Sequence, residues 1–184
     1  MTRFLVLTLS FAVLGLAQDA HIERKITFNG RTLTSDQMAR LEAVERYYGV
    51  RIMDRSYFYD NRSGAVGFWH GPVIAALPAG LELGGPMPED ASDGRTGVVV
   101  NGRRLHRDDV RALSQIIPVR PGRYWVDGQG NFGYEGGPMV GNLFLLARQS
   151  NANTGQHRVY SAGEIAGIIV NPAGACTSSG CYYR

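Results

Sequence analysis

The sequence predicts an α+β fold of two pseudo-repeated units packed together, each a short β-hairpin, a helix and an aromatic β-hairpin. Two internal alignments carry this prediction. "ITFNGRTLTSDQMARL" at 26–41 matches "VVVNGRRLHRDDVRAL" at 98–113 without gaps. "YFYDNRSGAVGFWHGP" at 57–72 matches "YWVDGQGNFGYEGGP" at 124–138 with one residue of slack. A repeat of this length marks a duplicated structural unit.

Each unit opens with a β-branched or aromatic run that enters an Asn-Gly pair, Asn29-Gly30 or Asn101-Gly102. Both residue types tolerate positive φ, so the pair is a strong signal for a tight hairpin. The sequence therefore predicts a short hairpin at the start of each unit.

A helix is expected next in each unit. Thr34 or Ser35 is a suitable N-cap for the first helix, and Asp108 and Asp109 favour the start of the second through the helix dipole. His106, just before that helix, is read as a surface or capping residue. The helices show apolar residues at three-to-four spacing, which indicates one buried face. These residues are Met38, Leu41 and Val44 in the first copy, and Val110, Leu113 and Ile116 or Ile117 in the second.

The aromatic segments "YFYD" and "YWVD" are predicted as strands, in which alternate side chains point to opposite faces. A short apolar stretch then closes each unit: "VIAAL" in the first and "MVGNLFLLAR" in the second, the latter long enough for a helix. Between the units, residues 81–96 are rich in Gly and Pro and form a linker, which is ordered where Leu81 and Leu83 dock.

The predicted organisation is a signal peptide at 1–17, a first unit at 18–80, the linker, a second unit at 97–150 and a tail at 151–184. The signal peptide is predicted from an uncharged run from Phe4 to Leu16, which follows one Arg and precedes small residues. Cleavage is expected after Ala17, with Ala20 as the alternative. The expected location is therefore secreted or periplasmic, with no stable membrane insertion after cleavage.

Cys176 and Cys181 enclose four residues near the C-terminus. In an exported protein, an even pair this close is expected to form a disulfide that closes a short loop. The segment has no His for a zinc site, and a redox-active pair usually has two intervening residues.

Composition and motifs exclude several functions. The chain has 19 basic and 16 acidic residues, a balance too even to indicate nucleic-acid binding. Lys25 is the sole lysine, so no phosphate-binding loop of the usual kind is present. From Asp127, the sixth and twelfth positions are Phe132 and Pro138 rather than the Gly and Glu of an EF-hand. No metal and no cofactor is expected.

The ordered series Asn-Gly-x-x-Leu, helix, Tyr-aromatic-x-Asp, Gly-x-x-Gly and Gly-Gly-Pro, present in two linked copies, resembles a family of uncharacterised exported bacterial proteins. The resemblance covers about residues 25–150. It implies the tandem architecture and assigns no activity.

Seven side chains are candidates for ligand binding, because aromatic faces with a few fixed polar groups are typical of binding sites. They are Asp60, Trp69, His70, Trp125, Asp127, Tyr134 and Glu135. Other interpretations stay open: Asp60 and Asp127 suit turn capping, and Trp69 suits packing over the linker or the disulfide.

The sequence favours a non-catalytic binding or structural module in the cell envelope or outside the cell, with a glycan or an envelope protein as partner. No catalytic residue is assigned. One alternative is an envelope hydrolase using Asp60, Asp127 or Glu135 with His70. Another is a pure scaffold with wholly buried hairpins.

Overall fold

The computed structural model describes residues 24–153 and two short strands at 176–177 and 180–181. The predicted signal peptide lies outside the described residues, as does most of the tail. In the part described, two five-stranded sheets and three helices form an α+β fold, so the predicted fold class is confirmed.

The first unit forms one five-stranded sheet with a helix. Its elements are β1 Thr27–Phe28, β2 Arg31–Thr32, α1 Ser35–Tyr48, β3 Ser56–Tyr59, β4 Ala65–Phe68 and β5 Val73–Ala76. The strand order is β2-β1-β3-β4-β5. Strands β1 and β3 are parallel, with α1 between them in the chain, and the other neighbours are antiparallel.

The second unit repeats this pattern. Its elements are β6 Val98–Val100, β7 Arg103–Arg104, α2 Arg107–Leu113, β8 Gly122–Val126, β9 Asn131–Tyr134 and β10 Met139–Asn142, followed by α3 Leu143–Asn153. The order β10-β9-β8-β6-β7, read from the other end, is that of the first sheet. The duplication seen in the sequence is therefore a duplication of topology.

The segment after Pro138 differs from the expected continuous helix. Its first four residues form β10, and α3 starts only at Leu143. The Asn142 side-chain oxygen accepts hydrogen bonds from the backbone N–H groups of Phe144 and Leu145, which are helix-start donors. Asn142 thus separates a strand paired with β9 from the helix.

The repeated asparagines extend the sheet beyond their own strands. Asn29 and Asn101 have positive φ values of 51° and 49°, as the predicted turns require. The Asn29 side chain accepts from the Tyr59 N–H at 2.9 Å and donates to the Tyr59 carbonyl at 3.0 Å. Asn101 makes the same pair of bonds to Val126, at 3.0 and 2.7 Å. Each amide therefore replaces a backbone partner where the chain turns away.

The core of the first unit lies between its sheet and α1. It is built by Ile26, Phe28, Leu33, Leu41, Tyr57, Tyr59, Val66 and Leu83. Leu83 comes from the linker and is fully buried, and half-buried Leu81 packs against the same cluster. The expected docking of the linker is therefore confirmed.

The two helices between hairpin and aromatic strand differ in length. Thr34 caps α1 in a capping box with Gln37, and α1 runs for 14 residues. His106 caps α2 through a bond from Asp108 N–H, and α2 runs for only 7 residues. The segment from cap to aromatic strand is five residues shorter in the second unit. It also contains Pro118, which cannot continue a helix.

No helix among the described residues is long and apolar enough to cross a membrane. Strands β11 Cys176–Thr177 and β12 Gly180–Cys181 pair antiparallel, with Cys176 opposite Cys181. The disulfide between them stays a prediction.

Candidate functional site

The predicted site aspartates hold turns together. The Asp60 carboxylate accepts from the Arg62 N–H at 3.0 Å and from the Ser63 hydroxyl at 2.6 Å. The Asp127 carboxylate accepts from the N–H groups of Gln129 and Asn131, both at 2.9 Å. Both carboxylates therefore cap turns, and that of Asp60 also accepts a hydrogen bond from the Asn101 side chain of the second unit at 2.6 Å.

Trp125 packs closely against its own sheet and against the first unit. Gly133, opposite it on β9, has no room for a side chain: a Cβ there would lie 2.9 Å from the indole. The Trp125 indole N–H donates to the Gly137 carbonyl at 3.1 Å, and the guanidinium of Arg62 from the first unit stacks 4.8 Å from the ring centroid. Trp125 therefore packs where the two units meet.

Trp69 and His70 lie beside the linker. Trp69 is half-buried and packs against the cluster of Phe58, Val73 and Ala91, as one of the predicted alternatives required. His70 is exposed, has a positive φ of 62°, and donates its backbone N–H to the Ala91 carbonyl. Both residues fasten the linker onto the first unit.

Glu135 and Tyr134 are on the surface of the second unit. Glu135 forms an ion pair with Arg123, and this hydrogen bond lowers the pKa of the Glu135 carboxyl. The Tyr134 ring lies 5.2 Å from that of Tyr124 and is 59% exposed. Tyr134 lines one of the two cavities described below, and Glu135 lines neither.

The seven predicted residues do not form one site. Tyr134 lines an apolar pocket in the second unit, while Asp60 and Asp127 line a smaller cavity between the units, of about 100 Å³. Trp69, His70, Trp125 and Glu135 line neither of these two cavities.

The apolar pocket has a volume of about 300 Å³ and occupies the place that the core fills in the first unit. Its lining consists mainly of the counterparts of first-unit core residues. They are Val98, Val100, Leu113, Tyr124, Val126, Phe132, Tyr134, Val140 and Leu143, with Ile117, Pro118, Val119, Arg120 and Gly133 completing the wall.

Two substitutions and the shortened helix leave space in the second unit, although Phe132, in the place of Val66, returns part of the volume. Val100 stands where the first unit has Phe28, and Val126 stands where it has Tyr59. Both aromatic residues are fully buried in the first unit. Since α2 is half as long as α1, no second half of a helix covers the smaller residues.

The rim of the pocket is more polar than its walls. The Tyr124 hydroxyl donates to the Arg120 carbonyl at 2.9 Å, and partial burial raises the pKa of Tyr124. Arg120 is exposed and its side chain makes no ion pair within the described residues. A cationic group therefore stands beside an apolar opening.

Two of the residues that line this opening are exposed apolar side chains. Tyr134 and Val140 are each 59% exposed. Met139 on β10 and Leu145 on α3 are exposed to a similar degree but do not line the pocket. Exposed apolar side chains are characteristic of interaction sites. The pocket, with Tyr134 and Val140 at its edge, is the candidate site, which we call the second-unit pocket.

A buried ion pair joins the two units beside this site. Arg103 pairs with Asp109 at 3.0 Å, with side chains 4% and 7% exposed. The guanidinium stacks on Phe58 at 4.3 Å, and Asp109 accepts from the Val73 N–H at 2.8 Å. Phe58 and Val73 belong to the first unit, so these contacts hold the two units together beside the pocket.

Sequence reasoning missed the second-unit pocket. The signal was present in the alignment of the two copies, in which Phe28 aligns with Val100 and Tyr59 aligns with Val126. The aromatic hairpins differ more visibly at Trp69, His70 and Glu135, which do not line the pocket. A smaller residue in one copy leaves a cavity only if no other side chain fills it, and that depends on the tertiary packing.

Comparisons with known proteins do not assign this chain to a family. No family model matches it, and no solved structure matches it. It is similar to the Extra-large guanine nucleotide-binding protein 1 of Arabidopsis thaliana, with 28% identity over 111 residues. The match covers 59% of this chain and only 12% of the plant protein.

Proposed function

We propose that this protein is a non-catalytic binding module, acting in the cell envelope or outside the cell, that holds an apolar side chain of a partner protein in the second-unit pocket. The observation that carries the proposal is the contrast between two copies of one framework. The first copy fills its interior with Phe28 and Tyr59, and the second leaves the same space open.

The chemistry of the walls favours a protein partner over a glycan. Glycan sites present aromatic faces with fixed polar groups, whereas this pocket is lined mainly by aliphatic side chains. Trp125, the aromatic residue best suited to stacking on a sugar, is half-buried beneath Arg62. An aromatic or branched aliphatic side chain suits this pocket, and its burial contributes about 1.5–3 kcal/mol.

The neighbouring strand offers a second contact to the same partner. Strand β10 is an edge strand, and its first residue, Met139, is exposed. At the equivalent position of the first unit, Val73 is buried and its N–H is bound by Asp109 of the second unit. An extended peptide can add to such an open edge through backbone hydrogen bonds while one side chain enters the pocket.

The hydrolase alternative has less support from the geometry. The carboxylates of Asp60 and Asp127 are engaged by turn donors, and that of Glu135 by Arg123. A general acid or base needs a proton-accepting group free to reach a substrate. These contacts favour framework roles for all three residues.

The similarity to the plant protein supports a modular role, since the matched stretch is a small part of a much larger chain. The nucleotide binding in that protein's name is not carried over here. Phosphate-binding loops of the usual kind place a Lys after a Gly-rich turn, and Lys25, the sole Lys, has no such context.

Selection of peptides from a displayed random library on the full chain tests the proposal. We expect enriched peptides to share one large apolar residue in an extended context. Their binding should be lost in Val100→Phe/Val126→Tyr, which transplants the two filling residues of the first unit. Thermal unfolding should show that this variant still folds, at a cost of about 1–3 kcal/mol, because the tyrosine introduced at 126 would lie opposite Phe132, where the first unit has Val66.

Val50→Phe is the matched control, since it adds similar bulk at an exposed position of the first unit. It should bind the selected peptides as the parent does. Enrichment of no peptide, or equal binding to the filled variant, would argue against the proposal. Retention on purified peptidoglycan that the filled variant loses would assign the pocket to a glycan instead.

A further inference from the structure

A second group of exposed apolar side chains lies far along the chain from the pocket. Tyr47 is 82% exposed, Tyr48 55%, Met53 52% and Val50 42%. With Tyr134, Met139, Val140 and Leu145 of the second unit, they make up the large apolar side chains that are exposed among the described residues. All four fall within the seven residues that end α1 and follow it.

The backbone turns sharply within this group. Gly49 ends α1 in the left-handed conformation, with φ of 64°, and the Val50 N–H donates back to the Glu45 carbonyl. The rings of Tyr47 and Tyr48 lie 4.9 Å apart in an edge-on arrangement. The chain therefore reverses within the group rather than extending it.

Basic side chains accompany the apolar ones. Arg46, Arg51 and Arg55 are all exposed. Asp54 is the acidic residue of this stretch, and it lies 3.8 Å from the guanidinium of Arg24, whose shorter ion pair is with Glu45 at 2.8 Å. We call residues 46–55 the aromatic-basic patch, and its net charge is positive.

We infer that the aromatic-basic patch docks the protein on the surface of an anionic lipid bilayer. Tyrosine combines an apolar ring with a polar hydroxyl and is enriched at membrane interfaces. Arginines beside it are attracted to anionic headgroups and can keep their charge in water while their stems lie on apolar surface.

The shape of the patch favours a bilayer over a protein partner. Its apolar side chains project into solvent, and none of them lines either of the two described cavities. A bilayer accepts protruding side chains without a complementary shape, whereas a protein interface requires close packing. The patch and the second-unit pocket are separate surfaces, so the docking does not depend on the proposed function.

Quenching of a local tryptophan by brominated lipid tests the docking in the full chain. Tyr48→Trp places the reporter in the patch, and Tyr134→Trp places it at the pocket as a matched control. The unsubstituted chain gives the background of Trp69 and Trp125. Vesicles of phosphatidylcholine with phosphatidylglycerol, both with brominated chains, should quench the reporter at 48 more strongly than that at 134.

The charges are tested in the same background. Adding Arg46→Gln and Arg51→Gln to Tyr48→Trp should raise the lipid concentration for half-quenching by about twenty-five-fold, since each arginine contributes about fivefold. Vesicles of brominated phosphatidylcholine alone should quench position 48 weakly. Equal quenching at 48 and 134, no quenching at 48, or quenching unchanged by loss of the arginines would overturn the inference.

Discussion

Replacing Asn29 with alanine should destabilise the protein strongly, because its amide stands in for a missing strand. Asn29 is 4% exposed and holds both the N–H and the carbonyl of Tyr59, and it also donates to the Gly85 carbonyl at 3.0 Å. Each buried group left without a partner costs about 1–3 kcal/mol. A non-glycine residue without a polar side chain at positive φ adds about 1 kcal/mol. We expect the free energy of unfolding to fall by about 4 kcal/mol in Asn29→Ala.

Three further variants separate these contributions in denaturant unfolding at neutral pH. Asn29→Gly keeps the turn and removes the amide, so it should lose about 3 kcal/mol. Asn29→Asp keeps the acceptor for the Tyr59 N–H but places a carboxylate beside the carbonyls of Tyr59 and Gly85. This variant should therefore also be less stable than the parent. Asn101→Ala removes the equivalent pair of bonds to Val126 and a bond to the Asp60 carboxylate at a half-buried position, and a loss of about 2 kcal/mol is expected.

The reasoning would be refuted if Asn29→Ala lost less than about 1 kcal/mol, the scale of one ordinary hydrogen bond. It would also fail if Asn29→Gly were as stable as the parent. In that case the asparagine would serve only the turn conformation, and the bonds to Tyr59 would carry no net stability.

Three other changes follow from the packing. Gly67→Ala sets a Cβ 2.3 Å from an aromatic ring and a carbonyl, so unfolding should show a loss of about 2–3 kcal/mol, whereas Gly71→Ala meets only ordinary contacts. Arg103→Met leaves the Asp109 carboxylate buried without its cation, and calorimetry should show about 3 kcal/mol lost; an unchanged transition would contradict this. Burial raises the pKa of Tyr59 to about 12, so stability present below pH 10 should fall between pH 10 and 12, and Tyr59→Phe should lack that fall.

The duplicated architecture could be predicted because its signals are local. The Asn-Gly turns, the cap at Thr34 and the alternation of Tyr57 and Phe58 are each set by a few neighbouring residues. Local conformational preferences and side-chain period do not require knowledge of distant contacts. The capping role of Asp60 followed from the same kind of argument.

The strand within "MVGN" could not be predicted from its own residues. That segment reads equally as the first turn of a helix, and pairing with β9 decided between them. The docking of Trp69 against the linker was one of several open interpretations for the same reason. Short apolar segments acquire their conformation from the surface they meet.

The sequence by itself determined that two copies of one framework follow each other, where they turn and which strand faces are apolar. The tertiary structure alone decided that one copy is packed and the other open. Val100 and Val126 suit buried strand positions as Phe28 and Tyr59 do, so the alternation of apolar positions is the same in both units. Whether space remains depends on the volumes of all the side chains that converge there and on how far α2 reaches across them. That is a property of packing, which no single stretch of the chain encodes.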